Sequence, residues 1–256
     1  MSAADGVPTR FGRVRVVLCD ADGNLFPSEE PAFVASAAVT NRFLAEHGVD
    51  RRYGAEELRL ATTGLNFRST LAALAREHGV GVLAAPDVDR WVQTEKQEVT
   101  AHLRTVLQPD PAVLEPLTAL ADRFGVAAVS SSAEARITAS FEVTGLAGFF
   151  PPGRRFSAED SLPHPTSKPD PAIYLHALAA LGLDPAEAVA VEDSVAGATS
   201  AVAAGLATFG NLQFVAPDER AARRSALEEV GVSAVVTSWA EAAGLLGVGT
   251  AEHRAA

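Results

Sequence analysis

The sequence contains few of the features that secreted or membrane proteins depend on. Its 256 residues include one cysteine, Cys19, so no disulfide can form within the chain, as is typical of a reducing compartment. The first 18 residues lack the long apolar stretch of a signal peptide, and no run approaches the length of a membrane span. We therefore expect a soluble cytoplasmic protein that does not bind membranes.

Basic residues are also scarce relative to acidic ones. The chain has 21 Lys and Arg against 32 Asp and Glu, a formal net charge of −11, which argues against nucleic acid or an anionic membrane as partner. A phosphorylated small substrate is still compatible with this charge, because a bound metal ion can invert the field at one site. Aromatic residues make up only 6% of the chain, but 48% of it is hydrophobic, which predicts a globular protein with a substantial core.

The order of hydrophobic patterns predicts an α/β fold. Val14–Leu18 is a short β-branched run typical of a buried strand, and a long stretch with helical periodicity follows it. From Pro111 onward, strand patterns such as Val126–Ser130 and Ala188–Asp193 alternate with helical ones. Such alternation indicates a Rossmann-like parallel sheet covered by helices on both faces. We predict a core of residues 1–27 and 109–256, with an inserted all-helical domain of residues 28–108.

Two carboxylates come directly after the first predicted strand. Asp20 and Asp22 alternate along an extended chain, so their side chains leave it on the same side. Like charges this close need a metal ion, backbone donors or a shared proton to compensate them. A plain Asp-Gly turn is the alternative interpretation of this segment. The choice between the two depends on the residues at the ends of the other strands.

Polar residues also end two later strands. Ser130 ends one of them, Glu192 and Asp193 end another, and Lys168 lies in a proline-rich loop between the two. Ligands bind at the carboxyl ends of parallel strands, where these side chains would meet. Clustered carboxylates suit Mg²⁺, and a hydroxyl and an ammonium beside it suit a phosphoryl group. One carboxylate of the first strand could then attack phosphorus while the other transfers protons.

These motifs resemble, in the same order, those of the haloacid dehalogenase superfamily of phosphotransferases. The resemblance runs from about Val14 to about Gly244 and rests on Asp20-Ala21-Asp22-Gly23, Ser130, Lys168-Pro169 and Glu192-Asp193. It implies that Asp20 is the nucleophile and a Mg²⁺ ligand. It further implies that Asp22 is the general acid/base, with its backbone carbonyl on the metal, and that Glu192 and Asp193 complete the metal site. The helical insert is similar to the α-helical cap of this family, which selects the substrate.

The resemblance also implies a phosphate-binding set. Ser130, with Ser131 as the next candidate, and Lys168 would hold the phosphoryl group. Asn24 stands where the family usually has Thr, and we include it in this set because its amide can orient an anionic group. Ser167 replaces the usual Gly before the lysine.

The resulting expectation is a Mg²⁺-dependent phosphatase that hydrolyses a small phosphomonoester, such as a sugar or polyol phosphate, through an aspartyl-phosphate. We expect its partner to be a small phosphorylated metabolite and its state to be a monomer or weak homodimer. One alternative is a phosphomutase of the β-phosphoglucomutase kind, for which Arg68 is the visible candidate for a second phosphate anchor. Arg68 is equally compatible with a surface arginine on an amphipathic helix.

Two further alternatives use the same residues differently. A catalytically silent binding protein on this fold would not need the full set of catalytic side chains that the sequence carries. Cys19 could suggest a cysteine phosphatase, but that chemistry needs an arginine six positions on, and position 25 is Leu. Cys19 is better interpreted as a small buried apolar residue.

Overall fold

The computed structural model describes residues 11–62 and 65–249, which divide into two compact units. One unit contains the described residues up to Pro27 and from Gln108 onward, and the other is Ser28–Leu107. The described part of the chain contains no helix that is both long and apolar enough to cross a membrane.

The first unit is built on a parallel sheet of six strands, in the order β3-β2-β1-β4-β5-β6. The strands are β1 (Val16–Cys19), β2 (Gly125–Ser130), β3 (Arg155–Ser157), β4 (Ala188–Glu192), β5 (Ala207–Asn211) and β6 (Ala234–Val236). The predicted α/β fold with a Rossmann-like parallel sheet is therefore confirmed.

The described residues form ten α-helices, divided between the two units. In chain order they are α1 (Glu29–Glu46), α2 (Ala55–Ala61), α3 (Phe67–Glu77), α4 (Ala85–Val106), α5 (Pro111–Ala121), α6 (Glu134–Thr144), α7 (Ala172–Leu181), α8 (Val195–Ala203), α9 (Arg220–Val230) and α10 (Trp239–Leu245). The first four belong to the unit Ser28–Leu107 and the other six to the sheet-containing unit.

The centre of the sheet is buried throughout. Every residue of β1 and of β4 is buried, as expected for parallel strands covered on both faces. Leu18 of β1 packs in one core cluster with Ile173 and Tyr174 of α7. β1 lies between β2 and β4, so the strand order reverses between β1 and β4. In open parallel sheets this switch point is where a crevice forms at the carboxyl ends of the strands.

The helical unit has a hydrophobic core of its own. Leu71 and Leu74 of α3 pack with Phe43 of α1 and Trp91 of α4. The rings of Phe43 and Trp91 meet edge to face with centroids 5.9 Å apart, an arrangement that aromatic pairs prefer. Asn66 begins α3 as an N-cap, since its side chain accepts a hydrogen bond from the Ser69 backbone N–H. A separate core of this size is consistent with an independently packed unit.

Candidate active site

The first carboxylate of the site comes directly after β1. Asp20 is buried, and its backbone N–H donates to the Val191 carbonyl at 3.0 Å, which extends the pairing of β1 with β4. Gly23 then turns the chain with a φ of +77°, a conformation that glycine adopts without strain. A Cβ at Gly23 would also lie 2.4 Å from Asp193 Oδ2. The Asp-Gly turn is therefore present, and it packs against Asp193, the residue that follows β4.

Three buried carboxylates meet at the switch point. Asp20, Glu192 and Asp193 each present an oxygen, and these oxygens lie within 4.8 Å of one another. Glu192 is fully buried, and its Oε2 has no hydrogen-bond partner. A Cβ at Gly197 would lie 1.8 Å from this Oε2, so only glycine leaves room for the carboxylate. Hard divalent cations bind carboxylate oxygens, and a buried carboxylate oxygen without a partner is costly until a cation or donor compensates it. This group of three carboxylates therefore fits Mg²⁺.

Lys168 is the cation that binds two carboxylates of this cluster, Asp20 and Glu192. Its Nζ donates to Asp20 Oδ1 at 2.5 Å, to Glu192 Oε1 at 2.6 Å and to the Val129 carbonyl at 2.8 Å. Its side chain is only 5% exposed. Three of the four predicted carboxylates and Lys168 thus come from distant parts of the sequence, and the fold brings them together.

Burial and mutual repulsion disturb the titration of these groups. Burial raises the pKa of Asp20 well above its ordinary value, while the charge of Lys168 acts in the opposite direction. Burial and the charge of Glu192 raise the pKa of Asp193 to about 7. Although burial disfavours its ammonium form, Asp20 and Glu192 raise the pKa of Lys168 above its usual range. The positive charges near the three carboxylates are the Lys168 ammonium and, beside Asp193, the Arg223 guanidinium. Additional positive charge would stabilise the cluster.

Tyr174 is part of the same cluster, although its position in the sequence gives no sign of this role. Its hydroxyl donates to Glu192 Oε1, the oxygen that also accepts from Lys168. Tyr174 is fully buried in α7, and burial, together with the charge of Glu192, raises its pKa well above the ordinary value. It therefore stays a hydrogen-bond donor that fixes Glu192. In the sequence, Tyr174 is one of several apolar residues in a helical pattern, so nothing marks it as a site residue.

The serines after β2 face different parts of the site. Ser130 Oγ is buried and accepts from the Ser132 backbone N–H at 3.0 Å. Ser131 Oγ accepts from the backbone N–H of Lys168 at 3.1 Å. Ser132, which the sequence analysis does not single out, donates from its hydroxyl to Asp22 Oδ2 at 2.7 Å. The loop after β2 therefore contacts both the Lys168 segment and Asp22. Phosphate binding by Ser130 and Ser131 stays a prediction.

Asp22 lies outside the group of three carboxylates found among the described residues. Its side chain is 25% exposed, and besides Ser132 it binds Arg136, whose Nη2 lies 3.1 Å from Asp22 Oδ1. The metal contact predicted for Asp22 involved its backbone carbonyl, and that contact stays a prediction. The acid/base candidate and the nucleophile candidate thus have different surroundings, one partly open and the other buried.

Asn24 is fully buried and its amide serves the backbone. Its Nδ2 donates to the Asp20 carbonyl at 3.0 Å and to the Val191 carbonyl at 2.9 Å. Its Oδ1 accepts from Asn211 Nδ2 at 2.9 Å, and its own carbonyl accepts from Trp239 Nε1 at 2.8 Å. Both amide hydrogens are therefore engaged in joining the end of β1 to the end of β4. A direct phosphate contact by Asn24 stays a prediction that this arrangement does not favour.

Arg68 belongs to the helical unit and pairs there with Asp89. The guanidinium contacts Asp89 Oδ1, and both side chains are more than half exposed. Such an exposed pair contributes little to stability, which leaves the guanidinium available for a ligand. The predicted substrate contact of Arg68 stays a prediction.

Cys19 is expected to be inert to thiol reagents in the folded protein. It is fully buried, and burial, followed by the charge of Asp20, raises the pKa of its thiol. Because the thiolate is the reactive form, iodoacetamide at pH 8 should label the native chain at least about 100-fold more slowly than the urea-unfolded chain. Mass spectrometry of the labelled protein measures both rates. Rapid labelling of the native chain would contradict this burial.

The sequence matches one family model and is similar to several known proteins. The sequence model of the haloacid dehalogenase-like hydrolases matches residues 14–205. The 6-phosphogluconate phosphatase of Escherichia coli K12 is 27% identical over 199 residues, which cover 78% of this chain and 83% of that protein. The protein CbbY of Rhodobacter capsulatus is 29% identical over 200 residues, with coverage of 75% and 83%.

Solved structures share the fold. A haloacid dehalogenase family hydrolase from Deinococcus radiodurans R1, crystallised with bound phosphate and sodium, superposes with a TM-score of 0.65. It is 29% identical, and the superposition covers 91% of this chain and 98% of that one.

Proposed function

Since the chain belongs to the haloacid dehalogenase-like hydrolases, we propose that it hydrolyses a small phosphomonoester, of sugar or polyol phosphate type, through a phosphorylated Asp20. The observation that carries the proposal is the convergence of Asp20, Lys168 and Asp193 at the switch point between β1 and β4. It joins an anionic nucleophile to a buried ammonium and to oxygen ligands for a cation. A relative named as a 6-phosphogluconate phosphatase supports the substrate class.

In the first step, an oxygen of Asp20 attacks phosphorus in line with the leaving oxygen. The Asp20–phosphorus bond forms, the bond from phosphorus to the leaving oxygen breaks, and Asp22 gives its proton to that oxygen. Lys168 favours the ionised form of Asp20, which the attack requires, and neutralises charge on the phosphoryl oxygens. Hydroxyl groups of Ser130 and Ser131, at the end of β2, orient those oxygens.

In the second step, Asp22 accepts a proton from water as the water oxygen attacks phosphorus. The bond between Asp20 and phosphorus breaks, so orthophosphate leaves and both aspartates return to their starting forms. Asp22 can reach solvent for this exchange because its side chain is a quarter exposed. Asp20, at 9%, is shielded from bulk water by comparison.

A divalent cation fits the same site. Asp20, Glu192 and Asp193, with the backbone carbonyl of Asp22, would hold Mg²⁺, which supplies positive charge to the nucleophile and to the phosphoryl oxygens. Tyr174 and Lys168 fix Glu192 Oε1, which would hold this carboxylate in place for the cation. We assign substrate selection to the helical unit, Ser28–Leu107, with Arg68 as its candidate contact.

The proposal predicts that orthophosphate accumulates when the protein is incubated with Mg²⁺ and a suitable ester. The panel for ³¹P NMR would contain 6-phosphogluconate, hexose and pentose monophosphates, glycerol phosphate and nucleoside monophosphates. EDTA should stop the reaction, and restored Mg²⁺ should restart it. A new phosphoester without orthophosphate would indicate a mutase instead. No change with any member of the panel would contradict the proposal and favour a binding protein.

A further inference from the structure

Both oxygens of the Asp22 carboxylate are held by one segment of the chain. Ser132 Oγ donates to Oδ2 at 2.7 Å, and Arg136 Nη2 donates to Oδ1 at 3.1 Å. Ser132 lies in the loop after β2, and Arg136 lies in the first turn of α6. Because each oxygen has its own donor, the plane of the carboxylate is fixed as well as its position.

The position of Arg136 is not explained by the packing of α6 alone. An arginine in the first turn of a helix faces the positive end of the helix dipole, which disfavours it. The Nε–H of Arg136 is also buried without a hydrogen-bond partner, which costs further free energy. The ion pair with Asp22 is the contact that offsets these costs. Both side chains are about three-quarters buried, so water screens the pair less than it screens a surface pair.

The same segment also supports the phosphate-binding candidates. Ser130 Oγ accepts from the Ser132 backbone N–H at 3.0 Å, and Ser131 Oγ accepts from the backbone N–H of Lys168 at 3.1 Å. The loop that would orient the phosphoryl oxygens is therefore the loop that orients Asp22. A shared support of this kind keeps a proton donor and its target in fixed register, which general acid catalysis requires.

We propose that Ser132 and Arg136 are positioning residues that aim the Asp22 carboxyl group at the leaving oxygen of the ester. The proposal rests on the proposed function. It differs from a role in phosphate binding, because it predicts loss only where the leaving group needs a proton. General acid catalysis contributes about 10²- to 10⁴-fold when it is needed, and a displaced group forfeits much of this.

The test compares phenyl phosphates whose leaving phenols differ in acidity, from phenyl phosphate to p-nitrophenyl phosphate. The readout is the rate of phenol release in the first turnover, with Mg²⁺ present. Arg136→Ala should slow phenyl phosphate about 100-fold and p-nitrophenyl phosphate less than about 3-fold, because nitrophenolate leaves without a proton. Arg136→Lys should recover part of the lost rate with phenyl phosphate. Ser132→Ala should also slow phenyl phosphate more than p-nitrophenyl phosphate, but to a smaller extent than Arg136→Ala.

The matched control is Arg15→Ala, which removes an exposed arginine from its ion pair with Glu187 at the other end of β1. It should leave the whole series unchanged. Asp22→Asn should reproduce the dependence of Arg136→Ala on the leaving group. Equal slowing of all esters by Arg136→Ala, no slowing, or acceleration would each overturn the positioning role. Wild-type protein that releases neither phenol from these esters nor orthophosphate from the sugar phosphate panel would instead overturn the proposed function, and the positioning role with it.

Discussion

Asp20→Asn is expected to reduce phosphomonoester hydrolysis by on the order of 10⁴-fold or more, while the protein stays folded. The amide that replaces the carboxylate cannot attack phosphorus, so no phosphorylated enzyme forms. The substitution also removes one negative charge from the group of three carboxylates that fits Mg²⁺. Initial rates of orthophosphate release at saturating Mg²⁺, with the best ester of the panel, measure the loss.

The fold should tolerate this substitution because Asn has nearly the same shape as Asp. Burial and the neighbouring carboxylates already raise the pKa of Asp20, so its charge is not a source of stability in the metal-free protein. Lys168 would lose one partner but keep Glu192 and the Val129 carbonyl. We expect the melting temperature without Mg²⁺ to change by no more than about 3 °C.

The control for this experiment is Asp110→Asn. Asp110 is the N-cap of α5, where its side chain accepts from the Ala112 backbone N–H, and Asn caps helices as well as Asp does. Both the rate and the melting temperature should stay at the wild-type values. Turnover by Asp20→Asn above about a tenth of the wild-type rate would refute phosphorylation of Asp20.

The convergence of the site could be predicted because it depends on topology rather than on side-chain detail. Buried apolar runs identify β1, β2 and β4, and parallel strands place all their carboxyl ends at one edge of the sheet. Whatever polar residue comes after such a run must then lie at that edge. This is why Asp20 and Asp193 meet although 172 residues separate their positions in the sequence.

The partners that orient the site could not be predicted in this way. Tyr174 occupies an apolar helix position, and nothing in its spacing shows that its hydroxyl reaches Glu192. Asn24 accepts hydrogen bonds from Asn211 of β5 and Trp239 of α10, which lie 187 and 215 residues away in the sequence. These contacts form only when β5 and α10 pack beside the end of β1. Strand β3 cannot be predicted either, because Arg155–Ser157 is three residues long and its sequence has no strand periodicity. Such features are set by tertiary packing, which local patterns do not record.

Lys168→Met is expected to lower both activity and the stability of the metal-free protein. The substitution leaves Asp20, Glu192 and Asp193 buried without an ammonium. Removing one partner of a buried ion pair costs about 3–5 kcal/mol, mostly because the remaining charge is uncompensated. Turnover should fall by on the order of 10³-fold, since the variant lacks the cation that we propose neutralises the phosphoryl oxygens.

The loss of stability should depend on pH in a defined direction. In the wild-type protein the pKa of Asp193 is already raised to about 7, and loss of the Lys168 charge would raise the pKa values of Asp20 and Asp193 further. A group whose pKa is higher in the folded than in the unfolded state favours folding below its unfolded value and loses that contribution as the pH rises. At pH 5, below a pKa of about 7, Asp193 is largely protonated, whereas at pH 8 it must ionise in the folded variant. The difference in unfolding free energy between wild type and variant should therefore be larger at pH 8 than at pH 5.

Urea unfolding in EDTA at both pH values measures this difference, and Arg123→Met is the control. Arg123 is exposed and donates to the Gly247 carbonyl, which does not titrate, so its replacement should shift stability equally at the two pH values. Added Mg²⁺ should return part of the lost stability to Lys168→Met at pH 8, because a second cation can take over the compensation of the carboxylates. Equal stability of wild type and Lys168→Met at pH 8 would mean that the ammonium does not hold the cluster together, and the charge argument for the whole site would fail with it.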